Sequence, residues 1–237
     1  MIPLLALPNY GQPLDPRQDP RVLGAKRYVK DFDVRTLTSS FLTYCFNFLW
    51  CFALNGDYSH FVLLHADIAP KQDNWLAMLI EVCDGAGADI MSVVVPLKTE
   101  DGLTSTALSR GDEYGDFRRA TLTELRELPA TFGKRKVAEL FGWEARESTL
   151  LVNTGCMVVN MRHKDKLAKM RFTTNNWIRR KSGKYVAVSE PEDWDWSRQA
   201  QQHGLQVWAT KVIPVSHAGY DSDRVWGREH DAGDSHG

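Results

Sequence analysis

The sequence predicts an α/β domain with a mostly parallel central sheet flanked by helices. Three observations favour this fold class. The first hundred residues read as strand, helix, strand, helix and strand, an order that needs helical crossovers between parallel strands. Residues 61–64 and 89–95 are apolar without alternation, which is typical of strands covered on both faces. A length of 237 residues, 43% of them hydrophobic, suits one large domain.

The elements of the first half follow from local patterns in chain order. Residues 2–7 are a short apolar run that predicts a strand, and residues 8–11 predict a turn after it. Three prolines mark residues 11–24 as a loop. Residues 38–54 predict a helix with one apolar stripe. The residues that share this stripe are Phe41, Cys45, Phe48 and Phe52.

Later elements are predicted in the same way as helices at residues 74–83 and 194–203 and as strand-like runs at residues 150–161 and 205–215. No linker-like segment divides the chain. We therefore expect one domain over residues 1–220 and a polar, Gly-rich tail over residues 221–237, frayed or ordered by a ligand.

Composition excludes several classes of protein. With 29 Lys and Arg against 30 Asp and Glu, the chain has no overall charge that attracts nucleic acid or a membrane, so a charged partner needs a local patch. The four cysteines lie in apolar runs without a Cys-x-x-Cys pair, which indicates buried free thiols in a reducing, cytoplasmic compartment. Residues 36–56 carry no charge, but polar side chains interrupt them, so we expect a buried helix and no transmembrane segment.

The first candidate site follows the strand at residues 61–64. His65 and Asp67 come directly after it, and ligands of open α/β sheets gather at the carboxyl ends of strands. Side chains two residues apart point the same way in extended chain, so these two are expected to face one side. Asp67 is then a candidate ligand for a divalent cation that bridges a diphosphate. An ordinary strand end with a turn-forming Asp gives the same pattern.

A second candidate site precedes the helix at residues 194–203. Four carboxylates and two tryptophans lie within residues 190–196. Acidic residues in a first helical turn favour the helix dipole, but this does not account for all four. A carboxylate beside an aromatic wall can act as a general base toward a hydroxyl. Asp193 and Glu192 are the candidates for the base, and Trp194 is the candidate for the wall.

Two further segments carry weaker signals. His217 ends a strand-like run, where a lone His is more often structural than a ligand. Gly155 separates two apolar runs, which indicates a bulge or a close backbone approach. Next to it, Asn153 and Thr154 offer polar groups, and the Asn153 amide suits a polyhydroxyl ligand.

Taken in this order, the four segments resemble the nucleotide-sugar glycosyltransferases of the GT-A fold, and family 2 above all. Residues 65–68, His-Ala-Asp-Ile, are similar to the short Asp-x-Asp segment of that family. Glu192-Asp193, followed by Gly204 and His217, is similar to its Glu-Asp, Gly and His stretch. Residues 153–157, Asn-Thr-Gly-Cys-Met, are similar to its acceptor-side segment and to the Asn-Ser-Gly segment of family 8.

The resemblance spans residues 2–220 and implies one GT-A-like, Rossmann-like domain. Its nucleotide-sugar half covers about residues 1–110, and its acceptor half covers about residues 111–220. The resemblance also implies a divalent metal, Mn²⁺ or Mg²⁺, on Asp67 and His217, with His65 as a third candidate ligand. His65 stands where the family has its first Asp, which reduces the number of carboxylate ligands. Families with this pattern include inverting and retaining enzymes, so the stereochemistry stays open.

The resemblance places further residues around the substrates. The first strand of this fold ends where the nucleotide base binds, which implicates Pro8, Asn9 and Tyr10. Tyr10 either stacks on the base or covers the sheet edge. Residues 102–106 follow the strand after the metal motif, so Ser105 is expected to line the sugar pocket.

A basic segment points to the acceptor. Residues 162–184 contain nine Lys or Arg against one acid, a net +8 in a chain whose total is −1. Aromatic residues are interleaved with these cations, and the combination suits a polyanion. Arg179 and Arg180 are the candidate contacts. A solvated basic loop gives the same pattern.

These observations predict a hexosyltransferase-type glycosyltransferase that uses a UDP- or GDP-sugar and a divalent metal. Its acceptor hydroxyl is expected on an anionic molecule, such as modified DNA or a phosphate-bearing glycan or lipid. Two alternatives stay open. One is a GT-A-like protein that binds a nucleotide sugar without turnover, as His65 in the first motif position indicates. The other is a nucleotidyltransferase, although residues 8–12 lack the Gly-rich phosphate loop with Lys or Arg that such enzymes normally have.

Overall fold

The computed structural model describes residues 1–10, 14–99, 102–110, 116–217 and 220–221, the last pair by backbone alone. Within these ranges the chain forms strands, α-helices and two 3₁₀ helices (Ala145–Glu147 and Met161–His163). The strands are β1 Ile2–Asn9, β2 Asp33–Thr38, β3 Tyr58–Leu64, β4 Ile68–Pro70, β5 Ile90–Val93, β6 Leu103–Arg110, β7 Phe117–Thr121, β8 Thr131–Gly133, β9 Ser148–Leu151, β10 Cys156–Asn160, β11 Asn175–Lys181, β12 Lys184–Glu190, β13 Val207–Thr210, β14 Val215–His217 and β15 Tyr220–Asp221. The α-helices are α1 Pro20–Ala25, α2 Leu42–Asn55, α3 Trp75–Gly85, α4 Leu122–Arg126, α5 Lys134–Phe141, α6 Lys164–Leu167 and α7 Glu192–Gln202. The predicted tail beyond residue 221 lies outside the described residues.

Seven strands form the central sheet in the order β2-β1-β3-β10-β5-β13-β8. β1 runs parallel to β2 and β3, and β5 runs parallel to β13. β10 runs antiparallel to β3 and β5, and β8 runs antiparallel to β13. Five strands therefore point one way and two the other, which confirms the predicted mostly parallel sheet. β10 lies between β3 and β5, so one sheet joins the two halves of the chain.

Both faces of the central sheet are covered, and β3 shows why its sequence does not alternate. Phe61 and Leu63 belong to the core on the face of helices α2 and α7, while Val62 and Leu64 belong to the core on the face of helix α3. Successive side chains of a strand point to opposite faces, so a strand with two apolar surroundings needs an apolar residue at every position.

Three smaller sheets complete the fold. β6 pairs with β7 and β9, β14 pairs with β4 and β15, and β11 pairs with β12 in a hairpin. The residues predicted as a single strand-like run, 205–215, are split between β13 and β14. Residues 162–184, whose simplest interpretation was a solvated loop, contain helix α6 and most of the hairpin.

The predicted apolar stripe of helix α2 is only partly correct, since Cys45 is buried and Phe52 packs against the core but the other two residues are exposed. Phe41, just before the helix, and Phe48 are 74% and 49% exposed. The helix carries no charged residue, so its sequence favours no single face. The buried face is set by tertiary contacts, such as the hydrogen bond that Trp50 Nε1 donates to the Met170 carbonyl at 3.2 Å. The residues that are buried are Cys45, Phe46, Leu49, Trp50 and Ala53.

Two elements near the amino terminus were not predicted. β2 pairs with β1 at the edge of the sheet, and helix α1 lies within the predicted loop of residues 11–24. The start of α1 has a physical cause, because the Asp19 side chain accepts from the Arg21 backbone N–H and Pro20 occupies the first helical turn.

All four cysteines are free thiols, as predicted, but not all are buried. Cys51 is exposed because it lies on the outward face of helix α2. The predicted apolar stripe implied a different outward face for this helix. Among the described residues, no helix combines the length and the apolar character needed to cross a bilayer.

Candidate active site

The candidate site lies at the edge of the central sheet where β1 and β3 end and β10 begins. Because β10 is antiparallel to β3, the loop before β10 meets the loop after β3. The two loops are joined by a hydrogen bond from the His65 backbone N–H to the Gly155 carbonyl, 2.8 Å long. The segments 65–67 and 153–155, predicted separately as site segments, therefore lie side by side.

Asp67 is the centre of a small charged cluster. Its Oδ2 atom lies 3.2 Å from His217 Nε2 and 2.7 Å from Lys98 Nζ. The hydrogen bond with His217 lowers the pKa of the Asp67 carboxyl well below its usual range, partial burial opposes this effect, and Lys98 adds to it. Asp67 is therefore ionised at any ordinary pH. The structure brings the predicted pair Asp67 and His217 together across 150 residues of sequence.

The hydrogen bonds of His217 define its role. Its Nδ1 atom lies 2.8 Å from the Pro96 carbonyl, which can only accept, so Nδ1 carries a proton. Its Nε2 atom faces the Asp67 carboxylate, so it either carries a second proton or shares a cation with Asp67. A His that binds a metal typically donates its other ring N–H to a group such as a backbone carbonyl. His217 has this arrangement.

The Asp67 carboxylate and the His217 imidazole are suitable ligands for a divalent ion that takes one or two protein ligands and completes its coordination shell with water and substrate phosphate. Within the described ranges, no three His, Cys, Asp or Glu side chains come together to hold an ion by themselves. An ion on Asp67 and His217 would thus depend on a bound diphosphate for further ligands.

Lys98 was not predicted. It is a lone cation beyond β5, and only the fold shows that it reaches Asp67.

His65 has a different environment from Asp67. β3 ends at Leu64 and the chain turns, so the expected common side of residues 65 and 67 does not follow from strand geometry. The His65 ring stacks on Phe46 with centroids 4.8 Å apart, and its buried Nε2 has no hydrogen-bond partner among the described residues. Burial lowers the pKa of His65 to about 4, so the ring is neutral at pH 7.

A cavity of about 400 Å³ opens beside this cluster. Its lining includes Pro8 and Tyr10 from the end of β1 and His65 and Asp67 from the end of β3. Tyr10 is 73% exposed, so its ring is accessible to a ligand. Asn9, the third residue predicted for the nucleotide, points elsewhere, because its Oδ1 atom accepts from the Tyr10 backbone N–H at 2.9 Å.

Arg21 organises the loop after β3 and was missed by sequence reasoning. Its Nη1 atom donates to the His65 carbonyl at 2.7 Å and to the Ile68 carbonyl at 2.9 Å. Arg21 is paired with Asp19 at 2.6 Å, and both side chains are largely buried. Burial raises the pKa of Asp19, but the pairing with Arg21 outweighs it and holds that pKa below its usual value. No local signal marks Arg21, since its partners in the loop lie more than 40 residues away.

The loop before β10 is tightly built. Asn153 Oδ1 accepts from the Gly155 backbone N–H at 2.5 Å, and the Asn153 carbonyl accepts from Ser92 Oγ at 2.6 Å. A Cβ atom on Gly155 would lie 2.5 Å from Asn153 Oδ1 and 2.7 Å from Ile68 Cδ1. This confirms the close approach that the sequence indicated at Gly155. It also means that the Asn153 oxygen, expected to serve a ligand, is already used by the loop.

We expect Gly155→Ala to destabilise the protein by roughly 1–3 kcal/mol, because either Asn153 or Ile68 must move. Urea denaturation measures this loss. Gly85→Ala is the matched control, since no atom lies within 4 Å of a Cβ placed there. Equal stability of the two variants would contradict the tight loop.

Asp193 and Glu192 begin helix α7, next to the same loop. The Val152 backbone N–H donates to Ser197 Oγ at 3.0 Å and so ties the helix to this loop. Burial, together with the neighbouring charge of Glu192, raises the pKa of Asp193 to about 8. Burial also raises the pKa of Glu192, and the Thr154 hydroxyl opposes the rise. The Asp193 Oδ1 atom is buried without a hydrogen-bond partner among the described residues.

Two predicted contacts with the substrate need correction. Trp194 is completely buried, and its ring packs edge-on against Phe117 with centroids 4.6 Å apart, so it offers no face to a sugar. Ser105 is also buried, and its hydroxyl donates to the Val95 carbonyl at 3.2 Å. The two residues contact each other inside the protein, where Trp194 Nε1 donates to the Ser105 carbonyl at 3.4 Å. The large apolar ring of Trp194 could have indicated burial, but nothing local distinguishes Ser105 from a loop serine.

The structure divides the basic segment into parts with different roles. Arg162 pairs with buried Asp89 at 2.6 Å, and Lys164 donates to the Gly56 carbonyl. Arg179 and Arg180 lie instead on the exposed hairpin of β11 and β12. The net charge counted along the sequence therefore overstates the cations available to a partner.

A larger cavity, about 550 Å³, lies between β8, β13 and helix α5. Its lining contains three cations, Lys134, Arg135 and Lys136, but no carboxylate or His. It lacks a group for proton transfer or metal binding, so the smaller cavity beside Asp67 is the better candidate for the active site.

Comparison with known proteins supports the fold. No family model and no curated protein sequence matches the chain. Among solved structures, A197 from STIV is 14% identical with a TM-score of 0.50, over 92% of this chain and 85% of that chain. Two further structures score lower and add no argument. UDP-glucose pyrophosphorylase complexed with UDP-glucose is 10% identical, with a TM-score of 0.44 over 92% of this chain and 94% of its own. Mannose-1-phosphate geranyltransferase from Thermus thermophilus is 11% identical, with a TM-score of 0.41 over 92% and 77%.

Proposed function

We propose that the protein is a metal-dependent glycosyltransferase that moves a hexose from a UDP- or GDP-sugar to an acceptor hydroxyl. The observation that carries this proposal is the cavity beside Asp67. Its lining includes Tyr10, whose ring is exposed, and Asp67, whose carboxylate contacts His217 and Lys98. A nucleotide sugar needs this combination of an aromatic surface for the base and a charged site for the diphosphate.

Each residue of the cluster has a defined task in this proposal. Asp67 and His217 would hold a divalent ion, which supplies neutralisation of the charge that develops on the leaving diphosphate. Lys98, whose ammonium group lies 2.7 Å from Asp67 Oδ2, would contact a phosphate oxygen. Arg21 fixes the backbone of the loop, so Asp67 keeps its position as the charge at the site changes.

Asp193 is the proposed general base toward the acceptor hydroxyl. A base is most effective when its pKa lies near the working pH, and burial brings Asp193 to this range. The two carboxylates with proposed roles then differ in protonation, since Asp67 is always ionised and Asp193 titrates near neutrality. If transfer inverts the configuration at the anomeric carbon, Asp193 takes the proton of the acceptor hydroxyl while the hydroxyl oxygen attacks that carbon. Glu192 is the reserve candidate.

One observation favours a second candidate, a protein that binds nucleotide sugars without turnover. The ammonium of Lys98 already neutralises the carboxylate of Asp67, and His65 replaces a carboxylate at the first motif position. A binding site of this kind could hold a diphosphate through Lys98 and His217 without a metal.

A nucleotide-release assay over UDP- and GDP-hexoses tests the proposal. We expect free nucleoside diphosphate in the presence of Mn²⁺ or Mg²⁺ and none in EDTA. Calorimetry that shows uptake without consumption would instead support the binding protein. Cleavage of the sugar nucleotide by added pyrophosphate, with formation of nucleoside triphosphate and sugar 1-phosphate, would support a nucleotidyltransferase. Absence of both binding and turnover across the panel would remove the enzyme proposal.

A further inference from the structure

The hairpin of β11 and β12, residues 175–190, is the most exposed element of the described chain, and we refer to it as the ribbon. Its two strands of seven residues pair from Asn175↔Glu190 to Lys181↔Lys184. Ser182 and Gly183 form the turn with φ angles of 50° and 80°, as a tight two-residue hairpin loop requires. Glu190 is the only residue of the two strands that is buried.

Apart from the buried Glu190 at its base, the ribbon carries only positive charge. Residues 176–189 contain four cations, Arg179, Arg180, Lys181 and Lys184, and no carboxylate. Within the described residues, no ion pair is formed by Arg180, Lys181 or Lys184. Arg179 stands over the Trp177 ring, 5.3 Å from its centroid. A surface of this kind is complementary to a polyanion.

The cations lie on both faces of the ribbon. Side chains alternate along a strand, so Arg179 and Lys181 share one face and Arg180 points to the other. Tyr185 pairs directly opposite Arg180 and is 78% exposed. A partner that surrounds the ribbon can therefore contact charges on both faces and, on the face of Arg180, the exposed ring of Tyr185.

The base of the ribbon is fixed to the helix that carries the proposed general base. Glu190 forms a buried ion pair with Arg198 of helix α7 at 2.8 Å. Asp195 of the same helix accepts hydrogen bonds from Thr173 and from Asn175, the latter at 3.3 Å. Asp193 lies in the first turn of this helix. The base of the ribbon is thus joined directly to the helix that carries Asp193.

We propose that the ribbon binds double-stranded DNA and positions it so that a hydroxyl group on a modified base serves as the acceptor. The major groove of B-DNA admits a two-stranded β-ribbon, and phosphates then flank it on both sides. The deep, narrow major groove of A-form RNA does not admit one. A membrane surface is a poorer match, because the tip of the ribbon is Lys181-Ser182-Gly183-Lys184 and has no apolar side chain to insert.

The role of DNA as acceptor rests on the proposed glycosyl transfer, but binding by the ribbon does not.

The test is fluorescence anisotropy of the full chain with a labelled 20-bp DNA duplex over a range of salt concentrations. The variant is Arg180→Ala/Lys181→Ala/Lys184→Ala. The matched control, Lys134→Ala/Arg135→Ala/Lys136→Ala, removes the same charge from helix α5. Circular dichroism confirms that both variants are folded.

We expect the wild type and the control to bind with a steep salt dependence. The ribbon variant should bind at least about tenfold more weakly, with a slope of log K against log salt that is lower by about 2 to 3, since three phosphate contacts are lost. Equal binding of both variants, or a flat salt dependence of the wild type, would overturn the inference. Binding to phosphatidylglycerol vesicles or to duplex RNA in preference to DNA would also overturn it.

The two proposals fail in different ways. Calorimetry with UDP-glucose and GDP-mannose reports on the cavity beside Asp67 and should be unchanged in the ribbon variant. Binding of the duplex through the ribbon without uptake of a sugar nucleotide would support the DNA site and contradict the proposed glycosyltransferase. Uptake of a sugar nucleotide without binding of DNA would support the donor site and contradict the proposal for the ribbon.

Discussion

Asp193→Asn is expected to reduce sugar transfer by about 10²- to 10⁴-fold, because an amide cannot accept the proton of the acceptor hydroxyl. Binding of the nucleotide sugar should be unchanged, since Asp193 lies on helix α7 and not in the cavity beside Asp67. The measurement is single-turnover transfer together with calorimetric donor affinity. Glu192→Gln is the matched variant, and a larger loss there than in Asp193→Asn would move the role of base to Glu192.

The pH dependence of transfer should follow the same carboxyl. With the pKa of Asp193 at about 8, only a small fraction is ionised at pH 6. The rate should therefore rise about tenfold between pH 6 and pH 7 and level off above pH 8. A rate that is flat over this range, or that falls as the pH rises, would contradict Asp193 as the base.

The same substitution should stabilise the fold. The pKa of Asp193 is raised in the folded state, so the folded protein binds a proton more tightly than the unfolded chain does. The free energy of unfolding of the wild type then falls as pH rises from about 4 to about 8. Asn does not titrate, so this decrease is absent in Asp193→Asn. We expect the free energy of unfolding of the variant to exceed that of the wild type by roughly 1–3 kcal/mol at pH 8 and to differ little from it at pH 4. Urea denaturation at the two pH values measures the difference.

Asp67→Asn should lower the consumption of nucleotide sugar by about a hundredfold or more, because removal of the ionised ligand costs several kcal/mol of charge stabilisation. The dependence on Mn²⁺ should weaken in parallel. Asp73→Asn provides the control, since Asp73 is an exposed carboxylate paired with Arg27 at 2.6 Å and lies outside the cluster. Lys98→Met distinguishes the two candidate functions. Loss of donor binding in Lys98→Met with no effect of EDTA on the wild type would indicate a metal-free binding site.

The fold could be predicted well where the sequence has a strong local pattern. The apolar run of β3 and the spacing of helix α3 define their elements without tertiary information. Helix α2 shows the limit. Its existence is evident, but an uncharged helix has no polar face to orient it, and the contacts of Trp50 and Asn47 with residues 170–172 decide which side is buried.

The candidate site could be predicted only in part. Asp67 and His217 were expected to act together, and the structure places them in contact. Lys98 and Arg21 were not expected, because each acts through contacts that only the fold creates. Trp194 was assigned to the site because it neighbours two carboxylates in sequence, yet consecutive residues of a helix point in different directions. The burial of Trp194 therefore does not decide where the Asp193 side chain points.

The way the ribbon joins the body has a consequence for how specificity can evolve. Asn175 and Glu190 face each other across the hairpin, so the chain leaves the body and returns to it at points about 5 Å apart. A ribbon of another length or sequence could replace this one without altering the path of any other element. On the proposed function, exchange of this single module between related chains would redirect transfer to a new acceptor, while the residues proposed to hold the donor stay unchanged.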